Sequence, residues 1–207
     1  MTDRTRTALA AGMISACLLL TGPAVAAQSE SSASSDAAAY CTEQGGSVVE
    51  RTAYLDTNAA PADWVELGQR IQLCEFSTGE GDTASSVSVD LVTLHSEQPT
   101  LAGLAYLAQV PSSNAGPAGA NPAIPYCQTD LGGTTRFGTS SAGGGWVDPS
   151  RPDGSQILNL CVFADRSAID DFGLFYRSAG EIRGVDLSTV MRYQSDGSVP
   201  GAFSPDP

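Results

Sequence analysis

Apolar residues in this chain fall into short blocks punctuated by glycine, proline and serine, a pattern that predicts several short helices and strands. The first block, Ala8–Leu20, follows Arg4 and Arg6 and stops at Thr21-Gly22-Pro23, ahead of the small-x-small sequence Ala24-Val25-Ala26. That order predicts a cleaved secretory signal over residues 1–26, followed by a Ser-rich leader over 27–36. The block is too short to span a bilayer permanently, and no later block reaches the length required. Inside it, Ile14-Ser15-Ala16-Cys17 is similar to a lipoprotein box, which would anchor the chain through a lipidated Cys17. Leu18-Leu19-Leu20 prolong the apolar core where such signals turn polar, so secretion without an anchor is the preferred expectation.

Downstream, Ile71–Phe76 and Ile157–Phe163 are apolar on both alternations and read as central strands. Asn121-Pro122 supplies an N-cap and a first-turn proline, and Gly132 a stop, so a helix is expected to carry Tyr126 and Cys127. Asp36 is expected to cap the matching Ala-rich helix before Gly45. Ser167-Ala-Ile-Asp170 has capping-box form, and Ile169, Phe172 and Phe175 recur at helical spacing up to Gly180. Val87–Leu94 is β-branched and locally strand-like, yet its alignment with that later segment favours a helix.

That alignment is part of an internal repeat. Tyr40-Cys41 with Gly45-Gly46 answers Tyr126-Cys127 with Gly132-Gly133, and Leu73-Cys74-Glu75-Phe76 answers Leu160-Cys161-Val162-Phe163. With a six-residue insertion near Gly79–Ala84, Asp90-Leu91 falls on Asp171-Phe172, Leu94-His95 on Phe175-Tyr176, and Leu101 on Ile182. The economical reading is a duplication. The expected fold is α+β: two tandem copies of a small disulfide-stapled helix–strand–strand–helix unit, at 37–107 and 121–192. A Pro/Gly/Ala linker at 108–120 separates them and a tail at 193–207 follows.

Charge and cysteine content narrow the function. All ten basic residues are arginine, against 23 acidic residues, for a net charge of −13. Beyond residue 26 the count is eight against 22, or −14. Lysine chemistry and a basic nucleic-acid footprint are thereby excluded. With Cys17 in the signal, Cys41, Cys74, Cys127 and Cys161 are an even set in an exported chain, which predicts two disulfides and no metal or cofactor. Four cysteines allow three connectivities. Duplication selects Cys41–Cys74 and Cys127–Cys161, because an ancestral copy had only its own two to pair.

Asn121-Pro122-Ala123 with Tyr126-Cys127 and Gly132-Gly133, then Cys161-x-Phe163-x-Asp165-x-Ser167, then Asp170-Asp171-Phe172-x-x-Phe175-Tyr176-Arg177, resemble a small exported bacterial domain that carries a hemolysin label. The second copy fits best, and the first fits as a drifted duplicate. Phe172 stands where many members have tryptophan, and the cysteines flanking that segment elsewhere are missing here. The resemblance implies an envelope or extracellular location and no particular reaction.

Candidate chemistry is sparse. His95 is the only histidine, so any Ser-His-Asp or Cys-His mechanism must use it, but its aligned partner Tyr176 marks an ordinary amphipathic position. Asp170-Asp171 is the visible carboxylate pair, and helix capping accounts for Asp170. Gly143-Gly144-Gly145 lacks a phosphate-loop pattern and reads as a flexible hairpin or loop, and Asp148–Ser155 lacks calcium-loop spacing. Trp64 and Trp146 are binding anchors if exposed and core fillers if buried. The expected function is a non-catalytic binding or interaction module of the cell envelope or extracellular space, its partner unidentified. The alternative is a carboxylate-dependent hydrolase of envelope material.

Overall fold

The computed structural model describes residues 25–113, 121–135, 143–150 and 157–195, with side chains from Ser34 onward except that of Asp82. The fold is α+β. Helix α1 (Val25–Glu43) leads into strands β1 (Ser47–Leu55), β2 (Val65–Thr78) and β3 (Ser85–Asp90), then α2 (Leu91–His95) and α3 (Leu101–Ala108). The second half runs α4 (Ala123–Pro125), a π turn Tyr126–Asp130, β4 (Gly144–Val147), β5 (Leu160–Val162), β6 (Ala168–Asp170), α5 (Asp171–Ser178) and α6 (Leu187–Val190). No helix among the described residues is long and apolar enough to cross a membrane.

All six strands join one antiparallel sheet in the order β4-β1-β2-β3-β6-β5. The sheet curls until its edges meet: Trp146 and Leu158 exchange both backbone hydrogen bonds, at 2.9 and 2.8 Å. The curl explains the uninterrupted apolar runs, because both faces are covered. Leu73, Leu160 and Ala168 pack with Ala53 and Trp146 in one cluster. Their chain neighbours Cys74, Cys161 and Ile169 belong to the larger cluster that includes helix residues Cys41, Leu94, Tyr106 and Leu174. The strand alternation thus feeds two cores.

The halves meet at β3 and β6, where Val89 pairs with Ile169. Two carboxylates extend this short ladder. Asp170 accepts from the Ser88 N–H at 2.7 Å, and Asp90 accepts from the Ala168 N–H at 2.6 Å. Each also caps its own helix, Asp90 accepting from Thr93 N–H (2.9 Å) and Asp170 from Gly173 N–H (2.6 Å). Further bonds cross in both directions: Tyr40 Oη donates to Val190 O (2.9 Å) and Tyr126 Oη to Val110 O (2.7 Å). Burial pushes the hydroxyl of Tyr126 up to about 12.

Both disulfides have the expected pairing, Cys41–Cys74 and Cys127–Cys161, each with a Cα–Cα distance of 5.7 Å. Closing loops of this length stabilises by about 3–4 kcal/mol in the chain-entropy model. The Gly-Gly pairs divide two tasks. Gly45 and Gly132 take positive φ (84° and 69°) where the leading helix stops. Gly46 and Gly133 lie against the disulfides, and a Cβ on either would collide with sulfur.

Several expectations need correction. α1 begins at Val25, so Asp36 lies inside the helix rather than capping it, and the Ser-rich 27–36 is part of that helix. Alanines 26, 27, 33 and 37–39 favour that continuation. The first half carries three strands, not two. Val87–Leu94 divides into strand and helix at Asp90, so each competing reading holds for part of it. Cys74 pairs with Val89 and Cys161 with Ile169, which aligns Asp90 with Asp170, not Asp171. Under that pairing the repeat alignment needs an insertion one residue longer and sets His95 against Phe175 rather than Tyr176. Leu101 opens α3, whereas Ile182 lies in a loop and is 43% exposed. Ser167 does not cap α5; its hydroxyl accepts from Ala102 N–H at the start of α3 (2.9 Å). The halves share one sheet across the expected 108–120 boundary, and the linker core at 114–120, the signal up to residue 24 and most of the tail lie outside the described residues.

Two outcomes follow. Gly133→Ala should destabilise by about 1–3 kcal/mol through overpacking against Cys161 and Cys127, read as a lower urea midpoint with both disulfides intact. A wild-type midpoint would show that the turn yields freely. The second concerns pH. Burial pushes the Asp170 carboxyl up to about 6, against roughly 3.9 in an unfolded chain. A raised acid pKa means the fold holds the proton more tightly, so this contribution is complete below about pH 3.9 and is lost as pH rises through about 6. Wild type should have a higher midpoint at pH 5 than at pH 7.5, and Asp170→Asn should shrink that difference. An equal difference in both proteins would show that Asp170 does not titrate in this window.

Candidate functional site

A cavity of about 580 Å³ opens between α1, β2, α2 and the turn joining β5 to β6. Its size falls in the range of small-molecule sites. Sequence chemistry explains its walls. Asp90 starts α2, and this short helix places Leu91, Val92 and His95 along one side. Ile71 and Ala37 continue the apolar surface, and Val92 is 68% exposed. Arg70 and Arg166 bring positive charge to the lining.

The two arginines are held differently. Arg70 forms an exposed pair with Glu50 at 3.0 Å. Arg166 lies in the tight β5–β6 turn, where its N–H donates to Phe163 O (2.9 Å) and Phe163 N–H donates to Ser167 O (3.0 Å). Its φ is 68°, in the left-handed region that this kind of hairpin reserves for glycine or asparagine. The neighbouring Asp165 faces elsewhere: burial pushes its carboxyl up, but N–H bonds from Leu101 (2.8 Å) and Ser167 (3.0 Å) outweigh that and hold it below the usual carboxylate range. Among the described residues, Arg166 is the one arginine whose guanidinium has neither an ion pair nor a hydrogen bond.

Asp90 also lines the cavity. Burial pushes its carboxyl up, while the Thr93 hydroxyl (2.5 Å) and the N–H groups of Ala168 and Thr93 oppose that shift and occupy both oxygens. Its counterpart Asp170 is similarly engaged by Ser88 and Gly173. Asp171 is buried beside it at 1% exposure. His95 lies 2.8 Å from an Arg192 nitrogen through Nε2 and edge-on to Tyr40, with ring centroids 5.5 Å apart. Arginine only donates, so Nε2 accepts and that lone pair is taken.

The tryptophans separate. Trp146 is 6% exposed and fills the core inside the curl, also lining a second cavity of about 280 Å³. Trp64 is half-buried on the β1–β2 hairpin, its Nε1 donating to Ala59 O (3.0 Å) and its ring 6.0 Å from that of Tyr54. Only Trp64 presents part of its surface. Gly144 and Gly145, expected in a flexible hairpin or loop, belong to β4 and pair with Leu55 and Tyr54; a Cβ at Gly145 would meet Ile157 at 2.5 Å. Asp148 accepts from Ser150 N–H (2.9 Å) in a local turn, and 151–156 lie outside the described residues. No cluster of metal-binding side chains occurs among the described residues.

Sequence reasoning missed Arg70 and Arg166, which lie far apart in the chain and belong to no motif. The available signal was Arg166 within Phe163-Ala-Asp-Arg-Ser167, where a tight turn places a side chain of costly backbone preference. Compared with protein-family models, curated proteins and solved structures, the chain matches none.

Proposed function

We propose that this chain is an exported, non-catalytic binding module built from two copies of one unit, with the cavity beside α2 as its binding site. The observation that carries this reading is the contrast between that cavity and the buried carboxylates. The cavity offers apolar wall and the Arg166 guanidinium, which has no partner among the described residues, whereas the oxygens of Asp90 and Asp170 are taken by backbone donors that join the halves. A glycosidase-type pair needs one carboxyl to give a proton to substrate and the other to attack or activate water. Oxygens committed to Ser88, Gly173, Ala168 and Thr93 are poorly placed for either task. His95, with Nε2 accepting from Arg192, is equally unsuited to act as a base.

Duplication is supported by matching registers. Ser47 pairs with Glu75 as Thr134 pairs with Val162, one residue beyond Cys74 and Cys161 respectively. The reciprocal tyrosine and aspartate bonds add to it. Export is supported by the leading residues and by two disulfides, which persist in oxidising compartments. The resemblance to the hemolysin-labelled domain agrees with an envelope or extracellular setting, either free or anchored at Cys17, and supplies no reaction.

The test is incubation of the secreted, disulfide-intact chain with washed bacterial envelope material. Saturable co-sedimentation without release of soluble fragments is expected, and Val92→Glu should weaken retention several-fold. Fragment release that disappears in folded Asp90→Asn or Asp170→Asn would establish the hydrolase instead.

A further inference from the structure

We infer that the cavity beside α2 takes an amphipathic organic anion: one anionic headgroup on a compact apolar body, with Arg166 holding the headgroup. This rests on the binding reading above and names the ligand class for the same site.

The first support is charge. A chain of net charge −13 repels anions in general, yet two arginines converge on this cavity from separate parts of the sheet. The second is the state of Arg166. A left-handed backbone is unfavourable for a non-glycine residue, and Asn or Gly would relieve it. Arg166 gives the fold nothing visible in return, since its guanidinium makes no ion pair or hydrogen bond among the described residues. Such a group is free to bind a carboxylate or sulfonate through paired N–H donors. The third is the wall: Leu91, Val92, Ile71 and Ala37 supply apolar surface, and Val92 remains largely exposed. That favours a hydrophobic body over a bare inorganic anion. The Asp90 carboxyl in the lining does not oppose this strongly, because three donors already face its oxygens.

The experiment uses anilinonaphthalene sulfonate as fluorescent reporter on the folded, disulfide-intact chain. Phenylbutyrate, phenylbutyramide and phenylbutylamine compete; they share one body and differ in headgroup charge. Phenylbutyrate should displace the reporter at least about tenfold more effectively than the amide, with the amine weakest, and the preference should fall as salt rises. Arg166→Asn keeps a residue suited to the backbone, so the fold should persist. It should reduce the preference for the acid over the amide to about unity while leaving amide binding unchanged. Val92→Glu should weaken phenylbutyrate more than the amide. Equal displacement by acid and amide in wild type overturns the anion assignment and leaves the cavity as a binding site. An unchanged acid preference in Arg166→Asn overturns the role of Arg166. If none of the three compounds displaces the reporter while the chain still sediments with envelope material, the ligand class is wrong and the binding reading survives. Failure of both assays removes both.

Discussion

The exchange of backbone hydrogen bonds with two buried aspartates, at the point where Val89 faces Ile169, makes one sheet from two halves. The direct ladder between β3 and β6 is a single residue pair, too little to fix two strands. Asp90 and Asp170 lengthen it by accepting N–H bonds from the opposite strand. Hydrogen bonds to charged groups contribute about 1.5–3 kcal/mol each, which offsets part of the desolvation of a buried carboxylate. Because the same carboxylates cap α2 and α5, the junction also sets where those helices begin. The cavity wall therefore depends on the junction: Leu91, Val92 and His95 are positioned by a helix whose first turn is tied to the opposite half.

Around that junction the halves are too small to be secure alone, and the disulfides and crossing side chains compensate. Each disulfide ties a leading helical segment to a strand, and a glycine with no room for a side chain lets helix and strand approach. Tyr40 and Tyr126 then reach carbonyls at the far ends of opposite halves. Arg192 lies 5.4 Å over the Tyr40 ring and Arg177 5.1 Å over that of Tyr106, so cations from the second half cover aromatic rings of the first. Tyr106 also accepts from the Leu187 N–H (3.2 Å), and burial pushes its hydroxyl up to about 12.

Much of this was legible wherever the signal was local or repeated. The apolar strands and the helix stops at Gly45 and Gly132 follow from spacing and residue type, and the cysteine pairing from the duplication argument. The curl was not legible, because closure depends on Trp146 meeting Leu158 and nothing local to either residue encodes that partner. The shared sheet was hidden for a related reason: Asp90 and Asp170 read as ordinary caps, and a carboxylate that serves two amides looks the same in sequence as one that serves a single helix. The one-residue error in aligning Asp90 arose because Asp170-Asp171 offers two equivalent matches, which only the pairing of Val89 with Ile169 resolves. The cavity was the least legible feature, since its lining is drawn from four separate segments.

What the halves share and where they differ separates scaffold from function. Under the corrected register, Tyr40 and Tyr126, Gly46 and Gly133, and Asp90 and Asp170 occupy matching positions, and each pair does the same mechanical work on both sides. Counted from the cysteines, Arg70 corresponds to Ile157 and Arg166 to Gly79; counted from Asp90 and Asp170, Arg166 corresponds to Ser86 and His95 to Phe175. Every basic residue of the cavity lining is thus answered by an uncharged one. A scaffold requirement would act on both halves alike, because the reciprocal contacts load them equally. A charge pattern found on one side only has no such origin, and Arg166 occupies a backbone position that disfavours it. The basic lining is therefore a departure from the shared framework, concentrated at the cavity beside α2.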